Sequence, residues 1–216
     1  MTVVAVNRIH WPVTVLGPGR RVGIWVQGCS IECPGCVSRD TWPPMSRDRI
    51  PVAELIARID ALVDRGAVDG ITLTGGEPLD QADALDELLG ALRGWLDRRG
   101  APAADLLVYT GYEESRAREL AAGAFEIADA VIAGPYHADQ PGTRWWGSGN
   151  QRLITRDDGV AARYRSALRE APSELQVAVE RGQVFIVGVP ERRALAQMET
   201  RLADAGVSLG GVSWRP

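Results

Sequence analysis

The sequence contains no lysine; all 24 of its basic residues are arginine. That removes every chemistry that needs an ammonium side chain, including the phosphate lysine of a Walker loop and the Schiff-base lysine. Histidine is nearly absent too, with only His10 and His137, neither at zinc-finger spacing. No run approaches the ~18 apolar residues of a membrane span, and Met1 to Ala5 carries no charged leader before an apolar stretch. These absences lead to the expectation of a cytoplasmic protein. A net charge of -4 and a pI near 5.3 supply no global attraction to nucleic acid. With 216 residues, 45% of them hydrophobic and 24% charged, the chain suits one sizeable core with a possible appendage.

Cysteine is scarce as well, but its placement is informative. All three fall within Cys29-Ser-Ile-Glu-Cys33-Pro-Gly-Cys36. In a reducing compartment, three closely spaced thiols read as metal ligands or redox groups, and the odd number disfavours a disulfide framework. Zinc is one candidate, although a structural site wants a fourth protein ligand. A redox dithiol, Cys33-Pro-Gly-Cys36, is another, but it leaves Cys29 without a role. An iron–sulfur cluster uses all three thiolates and leaves one corner open for chemistry.

Around this loop, short strand-like runs alternate with helical patterns. Val22 to Val26 reads as a buried strand entering the cysteine loop, and Pro51 to Arg65 repeats apolar residues at helical spacing. Gly70 to Thr74 is a second strand, Gln81 to Arg99 a second helix, and Asp105 to Thr110 a third strand. Glu113 to Ala122 reads as a third helix and Ala130 to Ala133 as a fourth strand. Such alternation predicts right-handed βαβ crossovers and a parallel sheet, with ligand loops at the C-terminal ends of its strands. The cysteine loop, Gly75-Gly76-Glu77-Pro78, Tyr109 to Tyr112 and Gly134 to Tyr136 are therefore expected on one rim. Beyond Thr155 the pattern changes: Arg156 to Ala171 is charged and alanine-rich, Leu175 to Val179 and Val184 to Val187 read as two strands around Glu180-Arg181-Gly182, and Glu191 to Ala205 as a helix. We take residues 1–155 as a core and 156–216 as an extension, either the last sheet elements or a lid or docking segment.

The C-x3-C-x2-C loop after a first strand resembles the radical S-adenosylmethionine (SAM) enzymes. Thr74-Gly75-Gly76-Glu77-Pro78 is similar to their GGEP motif. Gly17 to Arg21, Gly35 within Cys33-Pro-Gly-Cys36, Thr41-Trp42, Tyr109 to Tyr112 and Arg144 to Arg152 together resemble the anaerobic ribonucleotide reductase activating proteins, over roughly residues 7 to 155. The resemblance implies a partial (β/α) TIM-like barrel, open on one side, and a [4Fe-4S] cluster on Cys29, Cys33 and Cys36. It implies SAM on its fourth iron, with Thr74, Gly75, Gly76, Glu77, Pro78, Thr110 and Asn150 as cofactor-binding residues and Glu77 receiving the methionyl ammonium. It assigns no catalytic side chain. Its chemistry is a 5'-deoxyadenosyl radical that takes hydrogen from a glycine of a partner glycyl radical enzyme, with a flavodoxin or ferredoxin as electron donor. Gly149 departs from the serine usual at that position. The extension keeps a second reading open, the same radical chemistry on a small molecule or a peptide. A third is a non-catalytic zinc protein. Trp11, Trp25, Trp95 and Trp214 are expected to pack, whereas Trp42, Trp145 and Trp146 stand evenly between packing and contact with a cofactor.

Overall fold

The computed structural model describes residues 1–44, 49–63, 66–170, 174–180, 183–190 and 193–214. Seven strands, β1 (Val3–Val13), β2 (Arg21–Val26), β3 (Arg49–Pro51), β4 (Gly70–Gly75), β5 (Asp105–Thr110), β6 (Ala130–Ala133) and β7 (Arg152–Thr155), form one sheet in the order β3-β1-β2-β4-β5-β6-β7. The central four, β2, β4, β5 and β6, are parallel. Antiparallel strands flank them, β1 and β3 on one side and β7 on the other. The sheet is thus mixed, parallel at its centre, and open among the described residues.

Period-two alternation divides the core between its two faces. Ile71, Leu73, Leu106, Val108 and Val131 point to one side, against α1 (Val52–Leu62), α2 (Ala82–Arg98), α3 (Glu114–Leu120) and α4 (Ala122–Ile127). Helix α2 presents Leu85, Leu88, Leu89, Leu92, Trp95 and Leu96, all buried, at the helical spacing its sequence predicts. Leu107, Ile132 and Tyr109 point to the other side. There α5 (Asp158–Glu170) lays Tyr164 and Leu168 beside Trp145. Further along the same face, a hairpin of β8 (Gln176–Glu180) and β9 (Gln183–Val187) packs Val187 with Val13, Leu16 and Trp25. Helix α6 (Ala194–Asp204) follows.

Arg21 anchors the base of the sheet. Its fully buried guanidinium donates to Asp105 Oδ1 (2.6 Å), Thr72 Oγ1 (2.7 Å) and the Ile71 carbonyl (2.8 Å). Tyr164 of α5 also donates to Asp105, so the start of the extension is tied to the core's buried ion pair.

Several boundaries differ from the sequence expectation. Strand β1 was not expected: Asn7, Arg8 and His10 interrupt its apolar pattern, and its register against β2 shifts twice. The expected helix over Glu113–Ala122 is two short helices that break at Ala121 (φ -147°, ψ 61°). Residues 64–65, 171, 181–182 and 191–192, within the expected elements, lie outside the described residues.

Candidate active site

The cysteine loop leaves β2 at Gly28 (φ 98°), where the chain turns without a side-chain clash. Its base is closed by the segment that follows the third cysteine: Gly28 N–H donates to the Thr41 carbonyl (2.7 Å) and Cys29 N–H to that of Trp42 (3.1 Å). Within the loop, Cys36 N–H donates to the Cys33 carbonyl (3.1 Å) across Pro34 and Gly35, and Gly35 takes φ 81°. Proline second and a positive-φ glycine third is the signature of a type II turn, which holds Cys33 and Cys36 at the ends of one tight bend. All three cysteines are free thiols and partly exposed. Burial raises the pKa of Cys29 and Cys36, and the loop brings no lysine or histidine to counter it.

Strand β4 ends against this loop. A Cβ on Gly76 would stand 2.1 Å from the Gly28 carbonyl oxygen, and one on Gly75 (φ 102°) 2.7 Å from the Trp25 Cα. Glycine is needed at both because backbone meets backbone: Gly76 N–H donates to the Val26 carbonyl (2.9 Å) and Glu77 N–H to that of Gly28 (2.8 Å). Pro78 is buried and opens a short 3-10 turn, Pro78–Gln81. Thr74, half buried, lines the cavity above the sheet.

Glu77 points inward and is 2% exposed. Its Oε1 accepts from Leu79 N–H (2.9 Å) and the Thr110 hydroxyl (2.8 Å), and its Oε2 from Gly111 N–H (2.7 Å). A carboxylate has about four acceptor sites, so these donors leave capacity at Oε2. Burial raises its pKa to about 7, against the lowering effect of the three donors. Thr110 is likewise buried and turned toward Glu77 rather than into open space.

The remaining loops join the same rim. Gly134 N–H donates to the Thr110 carbonyl (3.1 Å), and Asn150 Nδ2 to that of Pro135 (2.8 Å). Asn150 Oδ1 is buried and has no hydrogen-bond partner among the described residues. The four loops expected to converge therefore do so: Cys29, Cys33, Cys36, Gly75 to Pro78 and Thr110 lie on them, Thr74 lies in β4 just before its loop, and Asn150, later in the β6–β7 connection, reaches the rim through Pro135. Trp145 resolves toward packing: it is fully buried, edge-on to Tyr164 at 5.5 Å. Trp25 and Trp95 are buried as expected.

Two residues that sequence reasoning passed over help to shape the rim. Asp80 accepts from the Ser30 backbone N–H (2.6 Å), beside Cys29, and from the Tyr112 hydroxyl (2.9 Å). Gln27, 2% exposed, donates to the carbonyls of Asp40 (3.2 Å) and Pro43 (2.7 Å) and so braces the returning half of the cysteine loop. The position of Asp80 two residues after Gly-Gly-Glu-Pro was a signal; for Gln27 the sequence offered none.

Three soft thiol donors on one loop suit an iron–sulfur cluster. Among the described residues no three His, Cys, Asp or Glu side chains converge as ligands of one ion. In a four-iron cluster each thiolate takes a different iron, so such convergence is not required. The fold and the loop together set three free thiols on the C-terminal rim of the parallel strands, a donor set of the kind an iron–sulfur cluster takes.

The comparisons with known proteins agree. The 4Fe-4S single cluster domain matches residues 15–154, and the chain belongs to that family. It is 33% identical over 155 residues to the anaerobic ribonucleoside-triphosphate reductase-activating protein of Enterobacteria phage T4, covering 71% of this chain and 96% of that one. The protein of the same name from Escherichia coli (strain K12) is 32% identical over 146 residues, with 66% and 93% covered. The crystal structure of QueE from Escherichia coli superposes on 50% of this chain and 53% of its own with a TM-score of 0.38 and 17% identity. The residues after 154 lie outside the family match. No helix among the described residues is long and apolar enough to cross a membrane.

Proposed function

We propose that this protein is a radical SAM activating enzyme that generates a glycyl radical on a partner enzyme, an anaerobic ribonucleotide reductase. The observation that carries the reading is the backbone junction between the cysteine loop and the Gly-Gly-Glu-Pro loop, Glu77 N–H on the Gly28 carbonyl at 2.8 Å. It seats the loop of three thiols directly against the Gly-Gly-Glu-Pro loop, backbone on backbone. When bound, the cluster and SAM supply one-electron cleavage of the sulfonium to methionine and a 5'-deoxyadenosyl radical, which takes a hydrogen atom from a glycine Cα.

The chain's own residues bind and orient. Cys29, Cys33 and Cys36 would hold the cluster. Gly75 and Gly76 let backbone approach the methionyl group, and Glu77, with Oε2 capacity remaining, favours an ammonium there while bracing Thr110 and Gly111. The unpaired Asn150 Oδ1 accepts a hydroxyl hydrogen from the nucleoside side. We read the sheet as a (β/α) barrel left open on the substrate side, residues 1–155 as its core, and a flavodoxin or ferredoxin as electron donor in the cytoplasm. Anaerobic reconstitution with iron and sulfide, then SAM and reductant, is expected to yield 5'-deoxyadenosine, and Cys33→Ala to abolish both the cluster's visible absorbance and the product. Reconstituted wild type that never cleaves SAM overturns the reading. A second reading, a tailored small molecule or peptide as substrate, draws on the extension packed over the sheet outside the family match. It requires that the reductase stay free of radical.

A further inference from the structure

The extension shapes the space in which the substrate must lie. A cavity of about 700 Å³ stands above the rim. Its inner wall includes Cys36, Thr74 and Tyr109, and its outer wall is β9 with residues 188–190 and 207–214. The hairpin and the segment ending at Ser213 are both fastened to the core. Gln176 Nε2 donates to the Pro12 carbonyl (2.6 Å) and its Oε1 accepts from Thr14 N–H (3.1 Å); the Ser213 hydroxyl donates to the carbonyl of Val37 (2.7 Å), next to Cys36. Phe185 packs on the ring of His10 at 4.7 Å.

All five residues of β9, Gln183 to Val187, line the cavity, and none of β8 does. A strand that turned a face toward the space would present alternate residues only. Five in succession means that β9 presents its edge. That edge carries no partner among the described residues, since β9 pairs with β8 alone. The free edge of β9 has no partner strand among the described residues and borders the cavity, a template for one more strand.

We propose that this edge docks an extended polypeptide segment containing glycine as a third strand of the hairpin, alongside the cysteine loop. This rests on the reading above, that the substrate is a glycine of a protein. Strand pairing recognises backbone whatever the side chains, and it holds each Cα at a fixed depth. A glycine in the segment lets its Cα hydrogens face the rim with no side chain between. The cavity is of the size usual for small bound segments, and β9 spans about 16 Å, enough to pair with some five residues.

The test uses the full chain, reconstituted and supplied with SAM. The probes are a short peptide spanning the glycine of the partner reductase and two versions N-methylated at alternate residues, one in each phase. Strand pairing predicts that the parent peptide binds, that methylation in one phase weakens binding about tenfold or more, and that the other phase is nearly neutral. In the same reconstituted protein, hydrogen exchange is expected to slow at alternate amides of residues 183–187 when the parent peptide is added. Absence of peptide binding, equal effects of the two phases, or unchanged exchange in β9 overturns the proposal. Radical formation on the intact reductase, measured separately, distinguishes the failures. A radical with no phase dependence leaves the activating function standing without strand docking, and phase-dependent binding with a silent reductase removes the reductase as substrate while the docking edge remains.

Discussion

At the residue scale, Glu77 is a carboxylate placed where charge is expensive, and its three donors do not fully offset burial. Its folded pKa, about 7, lies above the ordinary 4.5, so the native state holds the proton more tightly than the unfolded chain. Stability of the SAM-free protein should therefore fall as pH rises from about 4.5 through about 7, by roughly 3 kcal/mol, and level off above. Glu77→Gln should remove most of that slope in urea titrations at several pH values; a variant that keeps the full slope contradicts the assignment. Asp105 is the counter-ion of a fully buried guanidinium. Asp105→Ala leaves Arg21 charged and unpaired and should cost about 3–5 kcal/mol by urea unfolding. A loss under 1 kcal/mol would show that Arg21 finds another partner. The sequence marked Glu77 as important but did not reveal its direction, because two of its three donors, Thr110 at the end of β5 and Gly111 after it, lie more than thirty residues away.

At the scale of elements, the decisive feature is loop against loop. Gly76→Ala places a methyl group 2.1 Å from the Gly28 carbonyl oxygen, so the cysteine loop and β4 must part. The expected result is a stability loss of about 1–3 kcal/mol and poor retention of iron after desalting. Iron retained at the wild-type level would show that the junction tolerates separation. These loops were legible because a rule links them: parallel strands send their C-terminal loops to one rim, and β2, β4, β5 and β6 are parallel neighbours. The bounds of β5 and β6 were also read correctly, since both strands are short buried runs between polar loops. Strands β1 and β7 were not. Each is antiparallel, and in β1 charged and polar residues sit among the apolar ones, so periodicity fades where tertiary pairing decides the conformation.

The whole molecule is a sheet with two unlike coverings. One face carries α1 to α4, and the other carries α5 and the hairpin with the cavity beside them. The extension is therefore not a loose tail. Tyr164 bonds Asp105 and packs on Trp145 and Leu107, while Arg163 donates to the Ala103 carbonyl (2.7 Å). A chain ended before Asp158 should lose much of its stability, with a melting temperature lowered by many degrees, even though the family match stops at residue 154. An unchanged melting temperature would make the extension an independent appendage. The central claim concerns the hydrogen that the reconstituted protein removes. Incubated with SAM, reductant and a reductase carrying α-deuterated glycine, it should return deuterium in 5'-deoxyadenosine while a glycyl radical signal grows on the reductase. 5'-Deoxyadenosine free of deuterium, with no radical on the reductase, would contradict the account.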